Sequence, residues 1–121
     1  MKLLFDEAES EALARWLAAR SDLPKVTSQL AVVEVVRVCC RLDPQAEPAA
    51  RQLLGGLDLV PVTAYVAELA THVGGSLLRS LGAIHLASAL FLRDGVEAVV
   101  AYDVHLQQAA SAEQLAVVAP A

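Results

Sequence analysis

The sequence predicts an α/β fold, a short parallel sheet with helices on both faces. Three observations carry this expectation. Helical and strand patterns alternate along the 121 residues. No junction carries the two-residue turn of a hairpin. The strand candidate "VEAVVAY" ends in a continuous apolar run, as a strand buried on both faces should. The length suits one domain with one core, spanning residues 1–121. Hydrophobic residues make up 56% of the chain, far more than a disordered segment carries.

Glu7 to Arg20 reads as an amphipathic helix, with Ala12, Leu13, Trp16 and Leu17 on the apolar side. "DLP" at 22–24 breaks it. "KVTS" then forms a short strand leading into the helix "QLAVVEVVRVCCRL", which is almost apolar all round, with Ser28 as its N-cap. At "LDP" Asp43 is placed to cap the next helix, with Pro44 at its first position and Gly55-Gly56 at its end. "LDLVPV" is the second strand, and Thr63 caps "AYVAELATHV". Gly74-Gly75 marks a loop before the helix Ser80 to Leu92, which Asp94-Gly95 closes. "VEAVVAY" is the third strand, Asp103 caps "VHLQQAAS", and "LAVVAP" is the fourth strand.

The net charge of −5 gives no global basic field of the kind that draws nucleic acid. An RNA-acting enzyme is still allowed if acids build a metal site with a few arginines around it. No apolar run reaches the length of a membrane span, and "MKLLFDEAES" lacks the apolar core of a signal peptide. Cys39 and Cys40 are adjacent, so on one helix their side chains diverge by about 100°. They read as free thiols in a reducing, cytoplasmic compartment.

Two acids stand out. Glu34 lies among Val32, Val33, Val35 and Val36, where a carboxylate needs a partner or a metal. Arg37 and Arg41 share its helical stripe, so an internal ion pair is the structural alternative. Asp103 follows a buried strand and precedes a helix, at the end of the sheet where ligands bind in open parallel folds. Its structural alternative is an ordinary N-cap. His72, His85 and His105 show no zinc spacing, and His85 among apolar neighbours reads as a core histidine. GxGxxG, GxxxxGK[ST] and GxSxG are all absent.

Several segments, in order, resemble the PIN-domain family, specifically its VapC-type toxin ribonucleases. "VTSQLAVVEVVR" is similar to the family's second strand and the helix carrying an acid and an arginine, here Glu34 and Arg37. "RSLGAIHLASAL" resembles the family segment R-S-L-D-A-I-H-L-A-x-A-L, and "VVAYDVHLQQAA" resembles T-Y-D-x-R-L-x-x-A-A, which places a metal-site acid at Asp103. The resemblance implies a PIN-like three-layer α/β/α fold and RNA cleavage with Mg²⁺ or Mn²⁺ held by three or four carboxylates. Hard cations take oxygen ligands, and a bound ion activates water and offsets transition-state charge.

Two departures qualify what the resemblance implies. Gly82 stands where the family pattern has Asp. The family also opens on a strand whose terminal Asp is a ligand, while this chain opens at Met1-Lys2-Leu3-Leu4. The expectation is therefore a missing first strand and a carboxylate set reduced to Glu34 and Asp103, with Asp6 no substitute.

The expected function is a metal-dependent endoribonuclease, the toxin of a type II toxin–antitoxin system, impaired by the lost acids. Arg37 and Arg79 are the expected phosphate or RNA contacts. The expected partners are RNA, a cognate antitoxin and a second copy in a homodimer. The alternative is an inactive PIN-like binding module that sequesters antitoxin, with the Trp16 helix as a possible surface.

Overall fold

A computed structural model describes residues 12 and 15–120 of the chain. Most of the predicted Glu7 to Arg20 helix lies outside the described residues. Within them, residues 15–18 are helical and lead into a turn. The Arg20 guanidinium lies 4.1 Å from the Trp16 ring centroid, and its Nη1 donates to the Trp16 carbonyl at 3.2 Å. The described residues form two compact units, divided between Leu59 and Val60, with Pro120 grouped with the first.

In the first unit, β1 (Val26–Ser28) leads into α1 (Leu30–Leu42). The N-cap position is held by Gln29, without a side-chain cap, and not by Ser28 as expected; the buried Ser28, one residue earlier, accepts the Leu30 N–H on Oγ at 3.2 Å. α1 is not apolar all round. Ala31, Val35 and Cys39 recur every four residues and are buried, while Val33 is 52% exposed and Arg37, Cys40 and Arg41 also face water. The valines on the wet side misled the pattern, because hydrophobicity alone does not say which neighbours a helix has.

The Asp43 side chain makes no cap. Pro44–Ala46 forms a 3-10 turn, and the Asp43 carbonyl accepts the Ala46 N–H at 2.9 Å. Proline sets the backbone for that turn, and the main chain closes it without the carboxylate. α2 (Glu47–Gly55) follows and ends at Gly56 as expected. Its Ala50 and Leu54 pack on Val35 and Cys39 to make the core of this unit. β2 (Asp58–Val60), whose last residue already belongs to the second unit, pairs with β1, and the Asp58 N–H donates to the Lys25 carbonyl at 2.8 Å.

In the second unit, Thr63 caps α3 (Ala64–Ala70) by accepting the Val66 N–H on Oγ1 at 3.2 Å. The helix is one turn shorter than its pattern predicts. α4 (Ser80–Phe91) follows the Gly74-Gly75 loop, where both glycines have positive φ, +86° and +67°. β3 (Val99–Val100) runs parallel to β4 (Val117–Val118), with α5 (Val104–Ala112) as the crossover between them.

Leu86 of α4 packs on Ala109 and Ala110 of α5 and on Leu115, and Val99 and Val117 border this cluster. Val60, Val66 and Ala87 form a second, smaller cluster. The mixed helix–strand architecture expected from the sequence is present. Its strands are shorter than predicted, and the described residues pair as two two-stranded sheets, β1 with β2 and β3 with β4. Segments of two or three residues carry too few ladder bonds to extend a sheet without a further neighbour.

Candidate functional site

Asp103 is held by the helix it starts. Its Oδ1 accepts the backbone N–H of His105 at 2.8 Å and of Leu106 at 3.4 Å, two of the donors an α-helix leaves unpaired at its first turn. Gln107 ties the same turn to the strand by donating from Nε2 to the Ala101 carbonyl at 2.7 Å. The carboxylate therefore stands exposed, three residues past Val100, at the carboxyl end of β3. Both readings of Asp103 are compatible, since the cap uses Oδ1 and leaves Oδ2 its acceptor capacity.

A pair of substitutions separates these roles. Asp103→Ala removes the cap and is expected to cost about 1 kcal/mol of stability. Asp103→Asn keeps a capping oxygen and should stay within about 0.5 kcal/mol of the parent. Thermal unfolding of both variants checks this. Equal losses would mean that the cap is not what the alanine removes.

Glu34 is half-buried in α1, one residue before the buried Val35, and Arg37 lies exposed one turn further on. Arg79 is the exposed N-cap residue of α4, and its carbonyl accepts the Ala83 N–H at 2.9 Å. Arg79, Gly82 and Asp103 belong to the second unit, Glu34 and Arg37 to the first. Asp6 lies outside the described residues.

Gly82 lies in the first turn of α4 under the side chain of Leu78. A Cβ at position 82 would come within 2.6 Å of Leu78 Cδ1. Leu78 is confined from the other side too, since a Cβ at Gly74 would overlap its Cδ2 and approach its Cβ and Cγ at 3.0 and 3.1 Å. A leucine thus occupies the space into which an acid at position 82 would project. Nothing in the residue pattern marks Leu78 for this place; the Gly74-Gly75 pair was the one available signal, and it reads only as a loop.

Other candidates for chemistry are weak. The thiols are free, Cys39 buried and Cys40 exposed. Cys40 Sγ lies 3.0 Å from Glu47 Oε1, and that hydrogen bond pushes its pKa up, which makes it a poorer nucleophile. Arg51, at 2.9 Å, and then Cys40 hold the Glu47 carboxyl below its usual range. His72 pairs with Glu68 at 3.1 Å on the surface of the second unit.

Glu34 and Asp103 are oxygen donors of the type Mg²⁺ takes. Among the described residues, however, no three His, Cys, Asp or Glu side chains gather as a metal site. These residues alone do not make up the carboxylate set such an ion requires. No helix among them is long and apolar enough to cross a membrane.

A family model described as the PIN domain matches residues 1–112. Ribonuclease VapC35 of Mycobacterium tuberculosis is 41% identical over 122 residues, covering 99% of this chain and 90% of the relative. Ribonuclease VapC47 of the same species is 44% identical over 105 residues, covering 84% of this chain and 77% of the relative. Ribonuclease VapC46 is 40% identical over 120 residues, covering 99% and 91%. No solved structure matches the chain.

Proposed function

The chain belongs to the PIN domain family, and from that membership we propose that it is the ribonuclease toxin of a toxin–antitoxin pair, metal-dependent and impaired. Kinship with proteins named as ribonucleases supports the reaction class. The observation that carries the site is the exposed Asp103 carboxylate, fixed at the carboxyl end of β3 by its own cap.

In this reading Glu34 and Asp103 are the working carboxylates. Arg37 and Arg79 are exposed and contact RNA phosphate, Arg79 beside the N-terminus of α4. Mg²⁺ or Mn²⁺ is the proposed cofactor, and a cognate antitoxin and a second copy of the chain are the proposed partners, in the cytoplasm. The impairment follows from Gly82 and the leucine above it.

The test is cleavage of a structured RNA with Mg²⁺, beside an intact VapC-type enzyme. Turnover is expected to be lower than that of the intact enzyme by at least about 10–100-fold, the loss that follows even when only the groups supporting a metal's ligands are altered. EDTA, Glu34→Gln and Asp103→Asn should each abolish what remains. Turnover equal to that of the intact enzyme would refute the impairment, and cleavage that survives both substitutions would refute the site.

The filled space at position 82 also favours a second reading, an inactive PIN-like module that sequesters antitoxin. It predicts antitoxin capture with no RNA cleavage in Mg²⁺ or Mn²⁺.

A further inference from the structure

A cavity of about 420 Å³ opens within the second unit between the 74–78 loop and one face of α5. His105, Gln108, Ala109 and Ala112 recur at the spacing of a single helical face. Because Asp103 caps this helix, the cavity begins within one turn of the proposed catalytic carboxylate.

Its walls and rim differ in chemistry. Leu77 and Leu78 line it from the loop, and Ala109 and Ala112 from the helix, so both elements offer aliphatic carbon to a flat ring. Leu77 is 69% exposed, a large hydrophobic side chain open to water at this site. The rim supplies Gln108, which can donate and accept, and the Glu113 carboxylate, which accepts only. Arg93 steadies Glu113, donating from Nη1 to its carbonyl at 3.0 Å and lying 3.7 Å from Oε2.

This chemistry selects among occupants. No Lys or Arg lines the cavity among the described residues, and the nearby Arg93 is already engaged by Glu113, so a phosphate is disfavoured. One carboxylate is too few for a hard cation. The volume is at the small end for ligand pockets, suited to a nucleoside-sized group. Unpaired RNA bases are recognised in this way, with the ring held between flat surfaces and the edge hydrogen-bonded. Among the four RNA bases, guanine presents two adjacent donors, N1–H and the 2-amino group, along one edge. That edge matches the two oxygens of a carboxylate.

We propose that this cavity is a base-recognition site that takes an unpaired guanine of single-stranded RNA, its ring against the exposed Leu77 and Ala112 side chains and its Watson–Crick edge on Glu113. The proposal rests on the ribonuclease reading and deepens it, because it places base selection on the helix that Asp103 caps, with Glu113 at the other end of that helix, about three turns away.

The test is fluorescence anisotropy of the full chain with labelled r(UUGUU), r(UUAUU), r(UUCUU) and r(UUUUU) in EDTA, where no metal-dependent cutting occurs. The guanine pentamer is expected to bind roughly tenfold tighter than the other three, the discrimination of one bidentate contact. Glu113→Gln should erase the preference, since an amide cannot accept both donors. Leu77→Ala should weaken binding of r(UUGUU) with an unchanged melting temperature. Asp103→Asn should leave the preference intact.

Equal affinity for all four RNAs, or a guanine preference that survives Glu113→Gln, overturns the proposal. A chain that cleaves RNA without a guanine preference overturns this proposal and leaves the nuclease reading standing. Guanine preference in a chain that never cleaves supports the proposal and removes the nuclease reading.

Discussion

Gly82→Asp, made alone, is expected to lower the melting temperature and to leave Mg²⁺ affinity almost unchanged. Three terms compete. An acid in the first turn of α4 gains about 0.3–1 kcal/mol from the helix dipole. Replacing a glycine inside a helix gains several tenths of a kcal/mol more. Against these, the new Cβ comes within 2.6 Å of Leu78 Cδ1. Overpacking of this kind costs about 1–3 kcal/mol.

A terminal methyl group can often rotate away from such a contact. Here Leu78 is also confined by the backbone at Gly74 and packs on the cluster around Leu86, so its freedom is limited and the cost prevails. Leu78→Ala removes the obstruction. The double variant Leu78→Ala/Gly82→Asp should be less destabilised than the sum of its parts, as neighbours that clash require. It should also bind Mg²⁺ roughly tenfold more tightly than the parent, because one more carboxylate has joined the set. Calorimetric Mg²⁺ titration and thermal unfolding of all four proteins provide the cycle. Strict additivity in stability, with equal Mg²⁺ affinity in the single and double variants, would show that Leu78 does not guard position 82.

The largest loss of stability is expected at Leu86. It is 1% exposed and touches both α5 and Leu115, so it joins the parts of the second unit. Truncation to alanine removes transfer energy and leaves a cavity that its small neighbours Ala109 and Ala110 cannot fill. The expected cost is about 2–5 kcal/mol. For a chain of this length that lowers the melting temperature by on the order of 10–20 °C. Leu77→Ala is the matched control. At 69% exposure Leu77 should change stability by no more than about 0.5 kcal/mol. Chemical denaturation compares the two, and similar losses at both positions would contradict the burial described.

The parts of the molecule legible in the sequence were those that local chemistry decides. Thr63 and Asp103 each place a side-chain oxygen within reach of the next helix's first N–H groups, and each is used so, whereas Ser28 bonds the Leu30 N–H from one residue before the cap position, which Gln29 holds. Asp43 offers the same signal and fails, because the following proline favours a 3-10 turn that the main chain closes by itself.

What was not legible is where side chains outside a regular pattern come to lie. Leu78 lies over Gly82 because a loop with two positive-φ glycines returns there, which no periodicity encodes. The cavity is formed by Leu77 and Ala112, which belong to different elements. The half-exposed Val33 looked like core because its neighbours in sequence are also valines. Along the chain the acids at 34 and 103 were the conspicuous ones. Their proposed partnership rests on family membership and on the local placement of each.

Paramagnetic relaxation by Mn²⁺, read on the backbone amide signals of the labelled full chain, tests that partnership most directly. At substoichiometric Mn²⁺ the amides around Glu34 and those around Asp103 should broaden together, along one titration curve, and either Glu34→Gln or Asp103→Asn should abolish both effects. Broadening confined to one of the two segments, or two curves that respond separately to the two substitutions, would contradict a shared cation and with it the proposed ribonuclease site.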